Sequence, residues 1–478
     1  MFIFFITILG LAFRLINIDK PEGLWNDEYV SWFVASIPFG EGFWQEILKQ
    51  CHMPLYYLYL KPFTGFSDIV LRLTSVLPSI LAIPVMYLIG KEYSKNIAKI
   101  SALVTAVLPF LVYYAQEVRF YSLLFLFSAI CLLYTIKLTK GEKKLCGYLV
   151  SAGLVLSTHV LGIIYVFFTA CYIFIKKRAI NKKIIVGLLL GLIIIIPLGI
   201  NILKMLSYSQ WWGNFSYTNI LFLFSDFLSP ILTNNINAPR TFFYNQNFIF
   251  NLFLTIPTLL AVLGISFGIK KEKGLALLVL GVILIMSILS FNGIIVFITK
   301  YSMEILPILI LLFAIGASDK KYIWITYVTI LILSALFIFY PSYQKRSEGH
   351  KLVCDIINKQ NPDKIIYTYY DENRFKKYLN QNYKSLDISK TYRFEYVNSV
   401  SKIFDNVNSG EKVSIVFLDS VSFLPENYIE KAKENNVPEM FITFSIIRNS
   451  LTNEIKKRGT DINIEHNGSW TVITAIYK

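Results

Sequence analysis

Long apolar runs separated by short polar loops occupy the first 340 residues of the chain. An apolar run of about 20 residues is long enough to cross the hydrocarbon core of a membrane as a helix. The run at 145–175 is too long for one helix, so a break near Ser157-Thr158-His159 is predicted to divide it. The pattern predicts about eleven membrane-spanning helices, at residues 1–17, 64–90, 97–115, 119–137, 145–158, 159–175, 184–203, 247–268, 274–291, 301–317 and 322–340.

The polar segments 18–63 and 204–246 are much longer than the other loops. Within the first, residues 42–49 have apolar side chains at helical spacing beside polar ones, which predicts a short helix lying in the membrane interface. The second contains Trp211-Trp212 and several Tyr and Phe residues, as expected of an aromatic belt at headgroup depth. Both are predicted to lie on the same side of the membrane.

The pattern changes at Tyr340-Pro341, where the apolar runs end and the alternation typical of a soluble domain begins. Helices are predicted at 345–359, 372–380, 425–435 and 451–458. Strands are predicted at 364–370, 412–418 and 439–445, with a closing pair near 461–465 and 470–477. Such alternation of strands and helices predicts a small α/β domain at 341–478. This domain has no phosphate loop, metal cluster or nucleophile elbow, so it is interpreted as a substrate-shaping or partner-docking cap.

Composition agrees with this division. Hydrophobic residues make up 55% of the 478 residues, and the mean hydropathy of +0.54 is far above that of a soluble protein. The first span has no basic segment ahead of it and no small-residue cleavage site after it, so it is predicted to be a retained anchor. The fold class is therefore an α-helical polytopic membrane protein, residues 1–340, with a small C-terminal α/β domain.

The distribution of Lys and Arg predicts the orientation. The short loops on one side contain seventeen basic residues, whereas the longer loops on the other side contain seven. Because basic residues are retained on the cytoplasmic side, the N-terminus is predicted to be cytoplasmic, and loop 18–63 and the C-terminal domain to be extracytoplasmic. The net charge of +15 is explained by this asymmetry and a basic tail, which excludes a nucleic-acid partner.

Trp25-Asn26-Asp27-Glu28 places two carboxylates in the first outer loop. Acidic groups where a membrane meets water suit chemistry on a lipid-carried, phosphate-bearing substrate. Asp27 and Glu28 can act as a general base, or they can join Glu117 as oxygen ligands for Mg²⁺ or Mn²⁺, with Asp27 and Glu117 as the principal pair. For an isolated acidic pair, solvation or helix capping is the competing explanation.

Several other ionisable residues are predicted to lie on the same outer face. A charge within a spanning helix is costly, about 2.5–3.5 kcal/mol, and is usually paired or functional. Two interpretations therefore stay open. Glu117 forms a structural ion pair with Arg119 or with Arg72, or one of these arginines binds phosphate. His52, His159 and Lys300-Tyr301 are weak signals individually, but all of them converge on this face.

The motifs, taken in order, resemble those of the bacterial glycosyltransferase family 39 group, which includes protein O-mannosyltransferases and lipid A aminoarabinose transferases. The resemblance covers residues 1–320. It rests on Trp25-Asn26-Asp27-Glu28, His52-Met53-Pro54-Leu55-Tyr56-Tyr57, Leu71-Arg72-Leu73, Tyr113-Tyr114-Ala115-Gln116-Glu117-Val118-Arg119-Phe120-Tyr121, Thr158-His159 and Lys300-Tyr301 with Pro307.

The resemblance implies a GT-C fold with a long first outer loop, a polyprenyl-phosphate sugar donor and inversion at the anomeric carbon. It implies that Asp27 is the catalytic base or its organiser, that Glu117 is the second acidic position and that Arg119 is the partner of Glu117. Lys300 occupies a position where relatives more often have Arg. Its ammonium group acts as a point charge, whereas a guanidinium group could bind two oxygen atoms at once.

The sequence therefore predicts a membrane glycosyltransferase of the bacterial inner membrane that acts on a polyprenyl-phosphate sugar and an extracytoplasmic acceptor. No cofactor is required by the pattern, and Mg²⁺ or Mn²⁺ stays an open alternative. The alternatives are a transporter or lipid flippase and a non-catalytic envelope scaffold. The predicted site residues are Asp27, Glu28 and Glu117 for catalysis; His52, Arg119, Arg72 and Lys300 for the donor phosphate; and Tyr56, Tyr57, Tyr121, His159 and Tyr301 for the substrate.

Overall fold

The computed structural model describes most of the chain. The described residues are 1–19, 23–49, 52–178, 248–292, 299–338, 349–368, 375–381, 383–387, 404–418, 439–467 and 470–478, with isolated positions between 185 and 228. The predicted span at 184–203, the aromatic segment at 204–246 and the predicted helix at 425–435 lie essentially outside the described residues.

The chain forms two compact units. The first, called here the membrane unit, comprises Met1–Ile18 and Val34–Lys345. The second, the C-terminal unit, comprises Arg346–Lys478 together with Asp19–Phe33. The boundary near residue 345 is close to the predicted change at 340. The sequence pattern gave no sign that the segment around Asp27 packs with the C-terminal residues.

The described part of the membrane unit is helical. An apolar helix covers each predicted span other than 184–203. These helices are α1 (Phe2–Leu15), α5 (Asp68–Lys91), α6 (Lys95–Val107), α7 (Pro109–Ala115), α8 (Tyr121–Thr139), α9 (Leu145–Thr158), α10 (Gly162–Lys177), α11 (Phe248–Lys271), α12 (Lys273–Phe291), α13 (Leu306–Ala317) and α14 (Lys321–Ile338). Shorter helices in the first loop are α2 (Asn26–Ser36), α3 (Glu41–Lys49) and α4 (Leu55–Leu60).

Among the described residues, four of these elements are long and apolar enough to cross a membrane, or five if the bent pair α6–α7 forms one span. The fourth includes the 3₁₀ turn Thr299–Ile305 together with α13. Leu77, Leu81 and Leu284 are each about half exposed on their helices, as expected of side chains that contact lipid rather than water. The predicted helical membrane protein is confirmed.

Two local predictions in the membrane unit are also confirmed. The run at 145–175 breaks where expected, because α9 ends at Thr158 and His159 has an extended backbone. The short helix predicted at 42–49 is α3, in which Phe43 and Ile47 are buried and Trp44 is 45% exposed.

The C-terminal unit contains a five-stranded sheet in the order β2-β1-β3-β5-β4. β1 pairs in parallel with β2 and β3, whereas β5 pairs antiparallel with β3 and β4. Helices α15 (His350–Gln360) and α16 (Glu439–Arg458) accompany the sheet. The strands are β1 (Lys364–Tyr367), β2 (Lys384–Asp387), β3 (Lys412–Leu418), β4 (Gly459–Asn467) and β5 (Trp470–Tyr477).

Two predictions for this unit are wrong, and one strand was missed. The strand predicted at 439–445 is wrong, because these residues begin α16. Their aromatic and β-branched side chains favour a strand, but Ile447, Leu451 and Ile455 continue the helix as a buried stripe at four-residue spacing. The helix predicted at 372–380 is a turn at 375–378 in its described part. Strand β2 was not predicted.

Candidate functional site

Gln116-Glu117-Val118-Arg119 forms the connection between α7 and α8. Pro109 lacks an N–H group and occupies the first turn of α7, so the helical run from residue 95 breaks there with a 52° bend. At the other end of α7, the Gln116 side-chain amide donates hydrogen bonds to the carbonyl oxygens of Arg14 and Ile16, at 2.9 and 2.6 Å. The connection is thus fixed to the C-terminal end of α1.

Arg119 contacts His52 within the membrane unit. Arg119 Nη2 lies 3.1 Å from His52 Nε2. A guanidinium group only donates, so Nε2 must accept in this contact, and the His52 proton must be on Nδ1. The Arg119 backbone is also held, because Ser75 Oγ donates to its carbonyl oxygen at 3.3 Å. The backbone and the guanidinium group of Arg119 are therefore each held by a hydrogen bond, and Arg119 is only 5% exposed.

Aromatic rings surround this pair. The Phe120 ring lies 5.3 Å from the His52 ring and 5.0 Å from the His159 ring, and the second pair is stacked. His159 also stacks on Tyr301, at 5.8 Å between ring centroids. The broken backbone at His159 explains how a residue between α9 and α10 reaches this position. Four residues that are distant in the sequence therefore form one continuous row of rings.

Lys300 adds a second cation to the same cluster. Its Nζ atom lies 5.7 Å from the centroid of the Tyr121 ring and 5.5 Å from that of Tyr301, within the range of cation–π attraction. Lys300 belongs to the 3₁₀ turn that precedes α13 and is only 6% exposed. Since Tyr121 follows Phe120 in the chain, Arg119 and Lys300 contact adjacent parts of one aromatic wall.

The remaining predicted residues of the membrane unit are buried. Arg72 Nη1 donates to the carbonyl oxygen of Ile18 at 3.0 Å, which is a structural contact, and phosphate binding by Arg72 stays a prediction. Tyr56 and Tyr57 are 2% and 1% exposed, and the Tyr57 ring lies 6.3 Å from that of His52. Glu117 is 2% exposed, and its catalytic and metal-binding roles likewise stay predictions.

The acidic motif belongs to the C-terminal unit. Asp27 and Glu28 occupy the first turn of α2, where carboxylates stabilise the positive end of the helix dipole. Glu28 is 2% exposed, and its Oε2 atom accepts the backbone N–H of Trp25 at 3.2 Å, the contact that a carboxylate at this position makes in a capping box. Asp27 is partly exposed. Of the two acids, Asp27 is therefore the better placed to meet a substrate.

Among the residues that the structure describes, no group of three or more His, Cys, Asp or Glu side chains is arranged to hold a metal ion. The cationic cluster of the membrane unit instead has the composition of an anion site. Arg119 and Lys300 supply positive charge, His52 accepts a hydrogen bond from Arg119, and the rings exclude water.

Two buried charged residues were missed from the sequence. Arg14 lies in α1 and Glu304 in the 3₁₀ turn next to Lys300, and both are fully buried. A charge inside a predicted span was the available signal, because such residues are usually paired or functional. Arg14 donates hydrogen bonds to Ser79 Oγ and to backbone carbonyl groups.

The chain is similar to a protein-family model and to solved structures of membrane proteins. A family model described as dolichyl-phosphate-mannose-protein mannosyltransferase matches residues 55–200. The crystal structure of ArnT from Cupriavidus metallidurans in the apo state is similar with a TM-score of 0.56 and 11% identity, covering 99% of this chain and 97% of that one. The chain therefore has an ArnT-like GT-C fold.

The same ArnT was also crystallised bound to undecaprenyl phosphate, and that structure gives a TM-score of 0.55 with the same identity and coverage. The comparison with curated protein sequences gives no significant match. The predicted resemblance is therefore confirmed at the level of the fold and of the family model. The matched segment 55–200 includes the Arg119 motif and His159.

Proposed function

We propose that this protein is an inverting glycosyltransferase that moves a sugar from a polyprenyl phosphate to an extracytoplasmic acceptor in the cell envelope. The observation that supports this most directly is the contact of Arg119 with His52, beside Lys300, in an aromatic cluster of a GT-C membrane unit. The proposed location is the bacterial inner membrane, with the N-terminus in the cytoplasm and the C-terminal domain outside. No nucleic acid is a partner.

The charge of the cluster suits the leaving group. A sugar linked to a polyprenyl phosphate is a phosphodiester with one negative charge, and cleavage of the sugar–oxygen bond gives a phosphate monoester with up to two. Two cations that are nearly excluded from water stabilise this growing charge more strongly than they stabilise the donor. Arg119 can bind two phosphate oxygens as a fork, while Lys300 acts as a point charge.

The proposed reaction is a single displacement. The acceptor hydroxyl loses its proton to the Asp27 carboxylate, and the acceptor oxygen forms a bond to the anomeric carbon. The bond between that carbon and the phosphate oxygen breaks, and its electron pair leaves with the polyprenyl phosphate. Because attack and departure occur on opposite faces, the configuration at the anomeric carbon inverts. A positioned carboxylate base contributes about 10²–10⁴-fold to such a step.

The other predicted residues take supporting roles in this proposal. His52 and Arg72 assist in binding the donor phosphate, and Glu117 acts as the second acid. Glu28 caps the helix that carries Asp27. The aromatic residues Tyr56, Tyr57, Tyr121, His159 and Tyr301 contact the sugar or the first isoprene units.

Donor turnover by the purified full chain in lipid nanodiscs tests the proposal. Undecaprenyl-phosphate mannose, aminoarabinose and galactose are offered separately, with and without EDTA, and release of undecaprenyl phosphate is measured. We expect turnover of one donor and a loss of about 10²–10⁴-fold in Asp27→Asn. Asp19→Asn removes an exposed carboxylate from the same loop and should keep full activity.

Each contrary outcome has a separate meaning. Full activity of Asp27→Asn would exclude Asp27 as the base. Loss of turnover with EDTA, restored by Mg²⁺ or Mn²⁺, would favour the metal alternative with Asp27 and Glu117 as ligands. Movement of undecaprenyl phosphate between leaflets without any sugar transfer would favour a flippase, and inactivity in both assays would favour a scaffold.

A further inference from the structure

The segment that carries Asp27 packs with residues from the far end of the chain. Residues 19–33 fall within the C-terminal unit, although more than 300 positions separate them from its other members. The backbone N–H of Leu24 donates to Tyr378 Oη at 2.8 Å, and Leu24 is fully buried. The contact is three residues ahead of Asp27, at the point where the loop turns into α2.

Gly23 makes this approach sterically feasible. Its φ is +86°, a conformation that a residue with a side chain rarely adopts. A Cβ atom at this position would lie 2.7 Å from Lys351 Cβ and 2.8 Å from Tyr378 Oη. The turn therefore requires glycine for two separate reasons, its backbone conformation and the closeness of residues from the C-terminal part of the unit.

A second set of contacts lies after Asp27. The Tyr29 ring stacks on that of His350 with 6.1 Å between centroids, and Lys377 Nζ lies 4.9 Å from the centroid of the Trp32 ring. Tyr29 and Trp32 are three residues apart and share one face of α2. Asp27 precedes Tyr29 by two residues, which places it about 200° around the helix from Tyr29. One face of the helix is thus held while Asp27 lies on another.

The residues that hold α2 are themselves fixed. Asn358 Nδ2 donates to the carbonyl oxygen of Tyr378 at 2.9 Å, and Cys354 Sγ lies 3.6 Å from the carbonyl oxygen of Phe375. Both contacts join the turn at 375–378 to α15. The Phe375 ring also lies 5.6 Å from that of His350. Tyr378, Lys377 and His350 therefore belong to one packed helix–turn element.

We infer that this helix–turn element of the C-terminal unit positions Asp27 for catalysis, with Tyr378 as the principal positioning residue. The inference rests on the proposed function of Asp27 and gives the C-terminal residues a role in the reaction rather than in partner docking. Tyr378 acts through the backbone: it holds the turn at Leu24, and the turn fixes where the first residues of α2 begin.

Amide hydrogen exchange in the full-length protein tests the contact without any substrate. Tyr378→Phe keeps the ring and removes the oxygen that accepts the Leu24 N–H. We expect exchange at Leu24 to become about 2- to 10-fold faster, since a net hydrogen bond is worth about 0.5–1.5 kcal/mol. Tyr383→Phe removes an exposed hydroxyl that lies 3.5 Å from Asn361 and should leave this amide unchanged. Unchanged exchange in Tyr378→Phe would overturn the inference.

Kinetics test whether the contact matters to the reaction. We expect Tyr378→Phe to lower kcat about 2- to 10-fold, with an unchanged KM for the donor. In Asp27→Glu, where the carboxylate is already displaced, the same substitution should have little further effect, because residues that act through one another are not additive. Fully multiplicative losses in the double variant would contradict positioning.

Gly23→Ala and Gly410→Ala form a matched pair. Gly410 has a φ of +88°, but a Cβ there would meet nothing within 4 Å. Both substitutions place a side chain at a similar positive φ, but only at Gly23 would the added Cβ collide with Lys351 and Tyr378. Only Gly23→Ala should therefore lower kcat, by more than tenfold. Equal losses in the two variants would assign the effect to strain alone and overturn the inference.

The outcomes separate this inference from the proposed function. If Asp27→Asn is inactive while Gly23→Ala and Tyr378→Phe keep full kcat, the positioning role fails and the proposed function stands. If Asp27→Asn is fully active, both fail.

Discussion

Arg14 Nη1 donates a hydrogen bond to the carbonyl oxygen of Ala106 at 2.8 Å, and Nη2 donates to that of Thr105 at 3.0 Å. These two carbonyl groups lose their helical donors at the bend between α6 and α7. Pro109 has no N–H to offer Thr105, and the extended backbone of Leu108 withdraws the next donor. The buried guanidinium group of Arg14 in α1 therefore supplies the hydrogen-bond donors that these two carbonyl groups lack, at the bend that leads to the Arg119 motif.

Arg14→Leu should destabilise the protein. Each buried carbonyl left without a donor costs about 1–3 kcal/mol, so the loss should be about 2–6 kcal/mol in the free energy of unfolding. Thermal unfolding in nanodiscs measures it. Lys99→Leu removes an exposed cation from α6 and should change the free energy by less than about 0.5 kcal/mol. A melting temperature of Arg14→Leu equal to that of the wild type would show that these carbonyl groups find other donors.

His52 should be replaceable only by a residue that accepts a hydrogen bond. His52→Ala removes the acceptor of Arg119 Nη2, and a hydrogen bond to a charged group is worth about 1.5–3 kcal/mol. We expect binding of undecaprenyl phosphate to weaken roughly 10- to 100-fold, measured by titration in nanodiscs. His52→Gln offers an amide oxygen and should recover much of this loss.

His466→Ala is the control for that titration, because His466 contacts Thr471 in the C-terminal sheet. It should bind undecaprenyl phosphate as the wild type does. Equal affinity of His52→Ala and wild type would mean that the orientation of Arg119 does not depend on His52.

The sequence predicted the helices of the membrane unit because a membrane span has a strong and local signal. The break at His159 and the short helix at 42–49 were found in the same way. The strand predicted at 439–445 failed because packing of Ile447, Leu451 and Ile455 overrode the β propensity of the preceding residues. The seven residues 439–445, taken alone, do not show the packing of the residues that follow them.

The candidate site was partly predictable for a similar reason. The predicted topology placed His52, Arg119, His159 and Lys300 on one face, and the structure brings these four into one aromatic cluster. The pairing of Leu24 with Tyr378 was not predictable, because hydrogen bonds between residues 354 positions apart leave no periodic signal. The same holds for Arg14, because most of its partners are backbone carbonyl groups, which any residue type can provide.

Gly316 should tolerate no side chain, because helices α11 and α13 pack backbone to backbone. A Cβ on Gly316 would overlap the carbonyl oxygen of Gly264, and one on Gly268 would overlap that of Leu312. Gly264 and Gly268 have the four-residue spacing that allows membrane helices to approach closely. Gly316→Ala should therefore lower the melting temperature markedly, through separation of the two helices.

Gly153→Ala is the matched control, since Gly153 also lies within a membrane helix but a Cβ there would meet nothing within 4 Å. It should be neutral or stabilising by up to about 1 kcal/mol, because alanine favours the helix. Similar melting of the two variants would argue against close packing of α11 and α13.

The C-terminal unit contains an ion pair with a measurable pH dependence. Lys364 Nζ donates to Glu411 Oε2 at 2.6 Å, and the backbone N–H of Asn408 donates to the same oxygen at 2.7 Å. Both contacts favour the carboxylate and hold the pKa of Glu411 below its ordinary value of 4.5, with the Lys364 hydrogen bond as the larger cause. Lys364 is only 8% exposed, so loss of its partner leaves a buried ammonium group.

Glu411→Gln should therefore destabilise the protein at neutral pH and much less in acid. The pKa of Glu411 is lower in the folded chain, so the pair stabilises the folded state fully above pH 4.5, and this contribution is lost as the pH falls through the lowered pKa. Melting temperatures of wild type and variant, measured from pH 7 to pH 3, should converge toward the acid end. Glu454→Gln is the control. It removes a carboxylate that pairs with Arg458 one turn later on α16, and such a pair contributes only about 0.3–0.5 kcal/mol, so the melting temperature should shift little. A difference for Glu411→Gln that stays constant over the whole range would rule out titration of this carboxyl group as its source.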